Sequence, residues 1–376
     1  MNSGLRISMF GSSLVSAYWN GAATYYRGIL RALSRRGHHI TFYEPDAFDR
    51  QKHRDIDDPD WARVIVYPSH PTQVDRLVRK ASRDSDLVIK ASGVGVHDVL
   101  LEAAVLEHRR PDRLVGFWDV DAPATLDRVL SDPTDPFRPL IPAYDIVFTY
   151  GGGDPVVMAY TELGARVCVP VYNALDPDTH FPVVPDPHFD GDLGFLGNRL
   201  PDREHRVDEF FFRVADLLPD HTFVLGGNGW SDRRMPPNVR YIGHVYTREH
   251  NAFNCSPKLV LNINRASMAR YGFSPPTRVF EAAGARACLI TDAWDGIEFF
   301  LQPGKEVLVA NSGAEVAQLL RTVSTADALR IGAAAQKRIH AGHTYAHRAA
   351  QVDAVLDSLP ARSPVPALSG GLSGTA

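Results

Sequence analysis

Cysteine is scarce in this chain: Cys168, Cys255 and Cys288 stand far apart among 376 residues. That spacing offers neither a disulfide framework nor a zinc-binding pattern and reads as buried free thiols in a reducing compartment. Long apolar runs are missing too. The longest are strand-sized, so no membrane span or secretory leader is expected, and the chain is expected in the cytoplasm. An excess of one charge is also lacking, since 40 Lys and Arg face 44 Asp and Glu for a net charge of −4. This gives no footing for a nucleic-acid partner. The cluster Arg31, Arg35 and Arg36 reads as the solvated face of a helix. The first loop lacks G-x-G-x-x-G, which removes the main support for a dinucleotide cofactor. No G-x-S-x-G elbow supports a Ser–His–Asp triad.

What is present is a repeated plan of strand, loop and helix, in a chain long enough for two domains. The run 5–10 stops at Gly11-Ser12-Ser13, and a helix over 22–36 carries Tyr26, Ile29, Leu30 and Leu33 at helical spacing. HHITFYEPD then resumes as a strand and completes a parallel βαβ unit. Further strands are expected at 64–68, 86–92, 114–123, 144–150 and 166–171, with helices over 71–83, 98–107 and 155–163. The stretch 44–61 and the region of Pro133, Pro136, Pro139 and Pro142 read as irregular. YNALDPDTHFPVVPDP, with four prolines, reads as an inter-domain linker. Beyond it, strands are expected at 193–198, 223–230, 239–245, 259–265, 287–291 and 307–310. A helix over 204–218 presents Val207, Phe210, Phe211, Val214 and Leu217 as one apolar face, and 327–358 has helical pattern. The expected organisation is two Rossmann-like α/β domains, 1–171 and 188–345, joined by a linker at 172–187. A C-terminal helix over 346–360 and a Pro-, Ser- and Gly-rich, disordered tail over 361–376 complete the chain.

The most informative stretch is YGFSPPTRVFEAAGARACLITD, 271–292. Pro275-Pro276 suits a helix start, Gly284 a C-cap, and 287–291 a short buried strand. Arg278 and Glu281 are three residues apart and share a helix face, as a surface ion pair also would. A helix N-terminus with free N–H groups, capped by Ser274, Thr277 and Arg278, suits a diphosphate. A carboxylate one turn deeper can accept both hydroxyls of a ribose. Gly226-Gly227-Asn228 lets backbone approach a ligand, and Asn264-Arg265 ends a strand where a guanidinium can hold diphosphate oxygens. The strand at 114–123 runs into Trp118, Asp119 and Asp121, which places them near a cleft, because open α/β sheets bind ligands beyond the carboxyl ends of their strands. Asp121, Asp119 and His97 are the candidate bases, although Asp121 before Ala-Pro equally suits a helix cap.

R-V-F-E-A-A-G, the buried strand, and D-A-W-D-G-I-E-F-F-L-Q-P-G-K-E-V-L-V together resemble the donor half of a GT-B glycosyltransferase, most closely the spore-maturation CgeB-like group. The similarity is best over 190–345 and weaker over 1–50 and 114–182. It implies a GT-B fold and a nucleotide diphosphate sugar as donor substrate, with no separate cofactor, and a small-molecule or glycan acceptor. It implies that Glu281 holds the donor ribose and that Gly243-His244-Val245 meets the nucleobase through backbone groups. It also implies that the loop Gly11, Ser12, Ser13, with Asn20 and Gly21, lines the cleft, and that the last helix crosses back to the first domain. Relatives with a Glu-x7-Glu pair carry a second Glu where this chain has Phe273, so the anomeric outcome is left open. Asp119-Val-Asp121 looks like a metal-binding Asp-x-Asp, but that motif belongs to another architecture, and metal-independent transfer is expected. A nucleotide-sugar 2-epimerase and a non-catalytic nucleotide-sugar-binding module remain as alternatives.

Overall fold

The computed structural model describes residues 4–18 and 21–359. Asn20 and the tail expected over 361–376 lie outside the described residues. Among the described residues the apolar runs form thirteen parallel strands. Arg6–Phe10 (β1), His39–Asp46 (β2), Ala62–Pro68 (β3), Leu87–Ala91 (β4), Leu114–Asp119 (β5), Ile146–Thr149 (β6) and Cys168–Pro170 (β7) make one sheet in the order β3-β2-β1-β4-β5-β6-β7. Leu193–Leu196 (β8), Phe223–Gly226 (β9), Val239–Gly243 (β10), Leu259–Asn262 (β11), Leu289–Asp292 (β12) and Leu308–Ala310 (β13) make a second, ordered β10-β9-β8-β11-β12-β13. Parallel strands buried on both faces need continuous apolar sequence, and β4, LVIKA, is buried throughout. Strand order reverses between β1 and β4 in one sheet and between β8 and β11 in the other. Each reversal opens a crevice at the carboxyl ends of the strands.

Those carboxyl ends meet each other. Gly152, beyond β6, donates its backbone N–H to the Phe273 carbonyl at 2.8 Å. The Tyr150 hydroxyl donates to the Pro275 carbonyl at 3.3 Å, and Asn173 Nδ2 to the same oxygen at 3.4 Å. Gly153 and Gly296 lie against the Phe273 ring, and a Cβ on either would fall 2.6 or 2.3 Å from it. The chain crosses between the sheets twice, and the two crossings run side by side. Leu175 N–H donates to the His343 carbonyl at 2.8 Å, and Tyr345 N–H to the Leu175 carbonyl at 3.0 Å. After the second crossing, helix Tyr345–Ser358 packs on helix Ala22–Arg35, with the Tyr345 ring against Gly28 and Asp353 bridging Arg36 and His38.

Three local expectations need correction. The strand at 114–123 ends at Asp119, because Pro123 and the Ala122–Ser131 helix begin there. The helical run from Glu204 carries a wide π-type turn over Asp208–Phe212, which inserts a residue and rotates the last helical turn. Phe212, Ala215 and Leu218 are therefore buried, while Leu217 is exposed. Gly284 is not the left-handed cap of its helix; Arg286, with φ 64°, takes that conformation. Gly284 is needed for close approach, since a Cβ would sit 2.3 Å from Leu175 Cδ1. The cysteines are free, and burial pushes the Cys168 and Cys288 thiols up to about 12.

Burial, with Arg348 beside it, lowers the His343 pKa from its ordinary 6.5 to about 4. The unfolded chain then binds the extra proton between pH 6.5 and 4. This contribution to stability is complete above about pH 6.5 and is lost as pH falls through that window. His343→Gln should flatten the fall of the melting temperature between pH 6.5 and 4. An equally steep fall in wild type and variant would reject the assignment.

Candidate functional site

The loops after β8, β9, β10 and β11 gather at the second switch point. Gly197, after β8, donates to the Gly226 carbonyl at 2.9 Å, and Asn198 Oδ1 accepts from Asn228 N–H at 2.9 Å. Gly227 has φ 122°, and a Cβ there would fall 2.3 Å from the Gly197 carbonyl oxygen. A Cβ on Gly226 would meet Leu196 and Val245 at 2.9 Å. These two glycines serve loop-on-loop packing, a different reason from ligand approach. Gly243, at φ 75°, has open space around it, and the exposed His244 places Nδ1 3.2 Å from Asn228 Nδ2. The Val245 side chain is buried beside Val224 and Phe253, so only its backbone is available.

Behind these loops sits a cluster of cations. Arg203 follows the β8 loop, its guanidinium 5.7 Å from the Phe195 ring centre, with Nη2 donating to the Asn198 carbonyl at 2.5 Å. Burial, with Arg265 and Arg278 nearby, lowers its pKa to about 10. Arg265 Nε bonds Asp202 at 2.6 Å, and its Nη1 lies 3.5 Å from Asp121 of the other sheet. Arg206 pairs with buried Asp292. The Nε atoms of Arg203, Arg206 and Arg278 are buried without a hydrogen-bond partner. The sequence pattern did not single out Arg203 and Arg206. The available sign was a strand ending in Gly-Asn followed by arginines at a helix start, G-N-R-L-P-D-R-E-H-R.

Glu281 lies beside this cluster. Its Oε2 is 3.3 Å from Arg278 Nη1, and the two side chains are only 10% and 13% exposed, so a surface pair is excluded. Thr277 hydrogen-bonds the carboxylate. Burial pushes the Glu281 carboxyl up, but Arg278, His180 and His250 outweigh it and hold its pKa at about 2. His180 comes from the linker and His250 from the start of helix His250–Cys255; burial lowers the His250 pKa to about 4. Among the described residues, His180, His250 and Glu281 place three potential metal-ligating atoms within 4.8 Å of one another. No motif spacing announces them, because they come from three separate segments.

Several expected contact residues are buried and hydrogen-bonded within the fold, although Asn264 Nδ2 keeps no hydrogen-bond partner. Asn264 is fully buried, its N–H held by Asp292 and its Oδ1 by Asn262. Ser274 is buried and donates to the Gly272 carbonyl at 2.9 Å, which turns it away from the Thr277–Gly284 N-terminus. Phe273, in place of a carboxylate, adopts φ 44° and donates N–H to the Asp295 carbonyl at 2.6 Å. On the first sheet, Trp118 is buried, its Nε1 donating to the Tyr25 hydroxyl at 2.9 Å, so it lines no cleft. Asp119 is also fully buried and accepts from Ser92 Oγ at 2.7 Å, Thr125 Oγ1 at 3.0 Å, Asp121 N–H at 3.1 Å and Tyr160 OH at 2.5 Å. A carboxylate so enclosed holds the fold and has no path to a substrate proton. Ser12 and Ser13 are buried, the loop being clamped by Arg50 to the Ser12 carbonyl at 2.6 Å and by Glu44 to Ser13 and Leu14. Gly11 is packed against Phe42, whereas Gly21 is exposed at the start of the Ala22–Arg35 helix. His97, at φ 56°, precedes the Asp98–Glu107 helix and places Nε2 3.4 Å from Ser69 Oγ. Asp121 is the candidate base that reaches the cleft. Its side chain makes no cap bond and is 40% exposed opposite Arg265.

Residues 203–354 match the model of a family described as glycosyl transferase-like. No curated protein matches the sequence significantly. Solved structures similar to the chain include HepE of Anabaena in complex with UDP and glucose, with 14% identity, TM-score 0.67, and coverage of 94% of this chain and 100% of that one. Sucrose-phosphate synthase of Thermosynechococcus elongatus aligns with 13% identity and TM-score 0.67, over 94% and 99%. An alpha-glucosyltransferase in complex with UDP-glucose and DNA containing an abasic site aligns with 12% identity and TM-score 0.67, over 94% and 100%. The chain has the GT-B fold: two parallel-sheet, Rossmann-like α/β domains. Among the described residues no helix is long and apolar enough to cross a membrane.

The two aspartates of β5 and the adjoining turn should separate cleanly on substitution. Asp119→Ala orphans several buried donors, each costing about 1–3 kcal/mol, and should lower stability by roughly 3 kcal/mol or more. Asp121→Asn should cost about 1 kcal/mol or less, as a half-exposed pair does. Urea unfolding of both variants measures this, and a mild effect at Asp119 would contradict its structural role.

Proposed function

We propose that the chain is a metal-independent glycosyltransferase that moves a sugar from a nucleotide diphosphate sugar to an acceptor hydroxyl. The observation that carries the reading is the convergence of Arg203, Arg265 and Arg278 at the second switch point, with Glu281 beside them. The buried, unpartnered Nε atoms of Arg203 and Arg278 are costly unless an anion completes these guanidinium groups, and a diphosphate does so with bidentate geometry. In this reading Glu281, already ionised and fixed by Arg278 and Thr277, accepts the ribose hydroxyls, and the nucleobase lies at Gly243-His244. The match of residues 203–354 to a glycosyl transferase-like family covers all four of the charged residues. Structural relatives solved with UDP make a uridine diphosphate sugar the first donor to test. The motif over 271–292 favours the CgeB-like group within that fold.

Transfer forms a bond from the acceptor oxygen to the anomeric carbon and breaks the bond from that carbon to the diphosphate. The arginines stabilise the charge growing on the departing diphosphate, a task metal ions perform elsewhere. Asp121 is the group available to take the acceptor proton. Its partner Arg265 would turn toward the diphosphate when the donor binds, which leaves the carboxylate freer as a base.

Glu281→Gln should weaken UDP-sugar binding at least tenfold, with the fold intact by circular dichroism; unchanged affinity by calorimetry removes the ribose assignment. Turnover should survive EDTA. Loss of turnover restored by Mg²⁺ or Mn²⁺ would show that the arginines do not suffice.

A further inference from the structure

We infer that His180, His250 and Glu281 form a binding site for one divalent transition-metal ion of the zinc class. Two imidazoles and a carboxylate are a donor set that zinc takes, with a fourth position left for water. The three ligating atoms lie within 4.8 Å of one another, and His180 Nε2 is 3.9 Å from Glu281 Oε1. Tetrahedral bonds of about 2.0–2.1 Å place donors roughly 3.4 Å apart, so modest side-chain rotation closes the site.

The orientation of His180 points the same way. Thr179 Oγ1 donates to the Asp176 carbonyl at 3.2 Å and lies 2.9 Å from His180 Nδ1. Nδ1 is engaged by Thr179, which leaves Nε2 as the ring atom on the Glu281 side. The His250 ring hydrogen-bonds the backbone of Val245. Each histidine thus has a hydrogen-bond partner of the kind that fixes the ring orientation of metal-bound imidazoles. Arg278 does not block the site, because it faces Oε2 while His180 faces Oε1. Charge repulsion from Arg278 sets a limit on affinity, and a water or hydroxide at the open position offsets part of it.

The inference touches the proposed function at one point, since Glu281 cannot serve an ion and a ribose at once. Zinc and the donor therefore compete, and an ion there also ties the linker to the donor-side helix through His180.

Calorimetric titration of the full chain with Zn²⁺ alone, after chelator treatment, tests the site. One ion per chain should bind in the micromolar range or tighter, and Co²⁺ should give the visible absorption of a four-coordinate N/O site. Mg²⁺ at millimolar concentration should not displace either. His180→Ala and His250→Ala should each weaken binding about 100-fold or more, and Thr179→Val, which keeps all three donors, about tenfold. Melting curves identify any variant that fails to fold, and the wild-type Co²⁺ spectrum does not depend on the variants. Absence of stoichiometric binding, an octahedral Co²⁺ spectrum, or equal affinity in folded His180 and His250 variants overturns the site. The titration contains no nucleotide, so its failure leaves the proposed function standing. Zinc binding without UDP binding would retain this site and remove that function.

Discussion

Arginine charge gathered at the carboxyl ends of the second sheet is the constraint on which the cleft depends. Arg203, Arg206, Arg265 and Arg278 converge there, and the available carboxylates are already committed: Asp292 to Arg206, Asp202 to Arg265, and Glu281 to Arg278. Arg203, Arg206 and Arg278 each keep a buried Nε without a hydrogen-bond partner. Such an arrangement is tolerable because the loops that create it also pack on one another through Gly197, Gly226 and Gly227. The arginines are therefore held in place before any anion arrives, which is what electrostatic stabilisation of a leaving group requires.

The opposite wall is positioned by contacts of another kind. The glycine turn 151–153 closes on the backbone at Phe273, and Phe273 accepts a left-handed conformation that costs a non-glycine residue about 1–2 kcal/mol. Its ring fills the space between Gly153 and Gly296. The position that some relatives give to a carboxylate is here a strut between the two sheets. Asp121, Arg265, Asp127 and Arg270 then form ion pairs across the cleft.

The fold was legible because parallel strands buried on both faces require unbroken apolar runs, and those runs are plain from LRISMF to VLVA. The place of Glu281 on a proline-led helix was legible from Pro275-Pro276. Trp118 and Asp119 misled because a strand's last residues face inward wherever helices cover its end; the residue that reaches the cleft, Asp121, comes after the strand. The wide turn at Asp208–Phe212 left no mark in the apolar spacing, so Leu217 stood where Leu218 belongs. Arg203 and the grouping of His180, His250 and Glu281 were hidden for a different reason. Each depends on segments far apart in sequence, and only the strand order brings them together.

A crystal structure of the chain with UDP tests the central claim most directly. The account predicts diphosphate oxygens within hydrogen-bonding distance of Arg203 and Arg265, and ribose hydroxyls on the Glu281 carboxylate. UDP seated at the first sheet's switch point, or a diphosphate making no contact with these arginines, would contradict it.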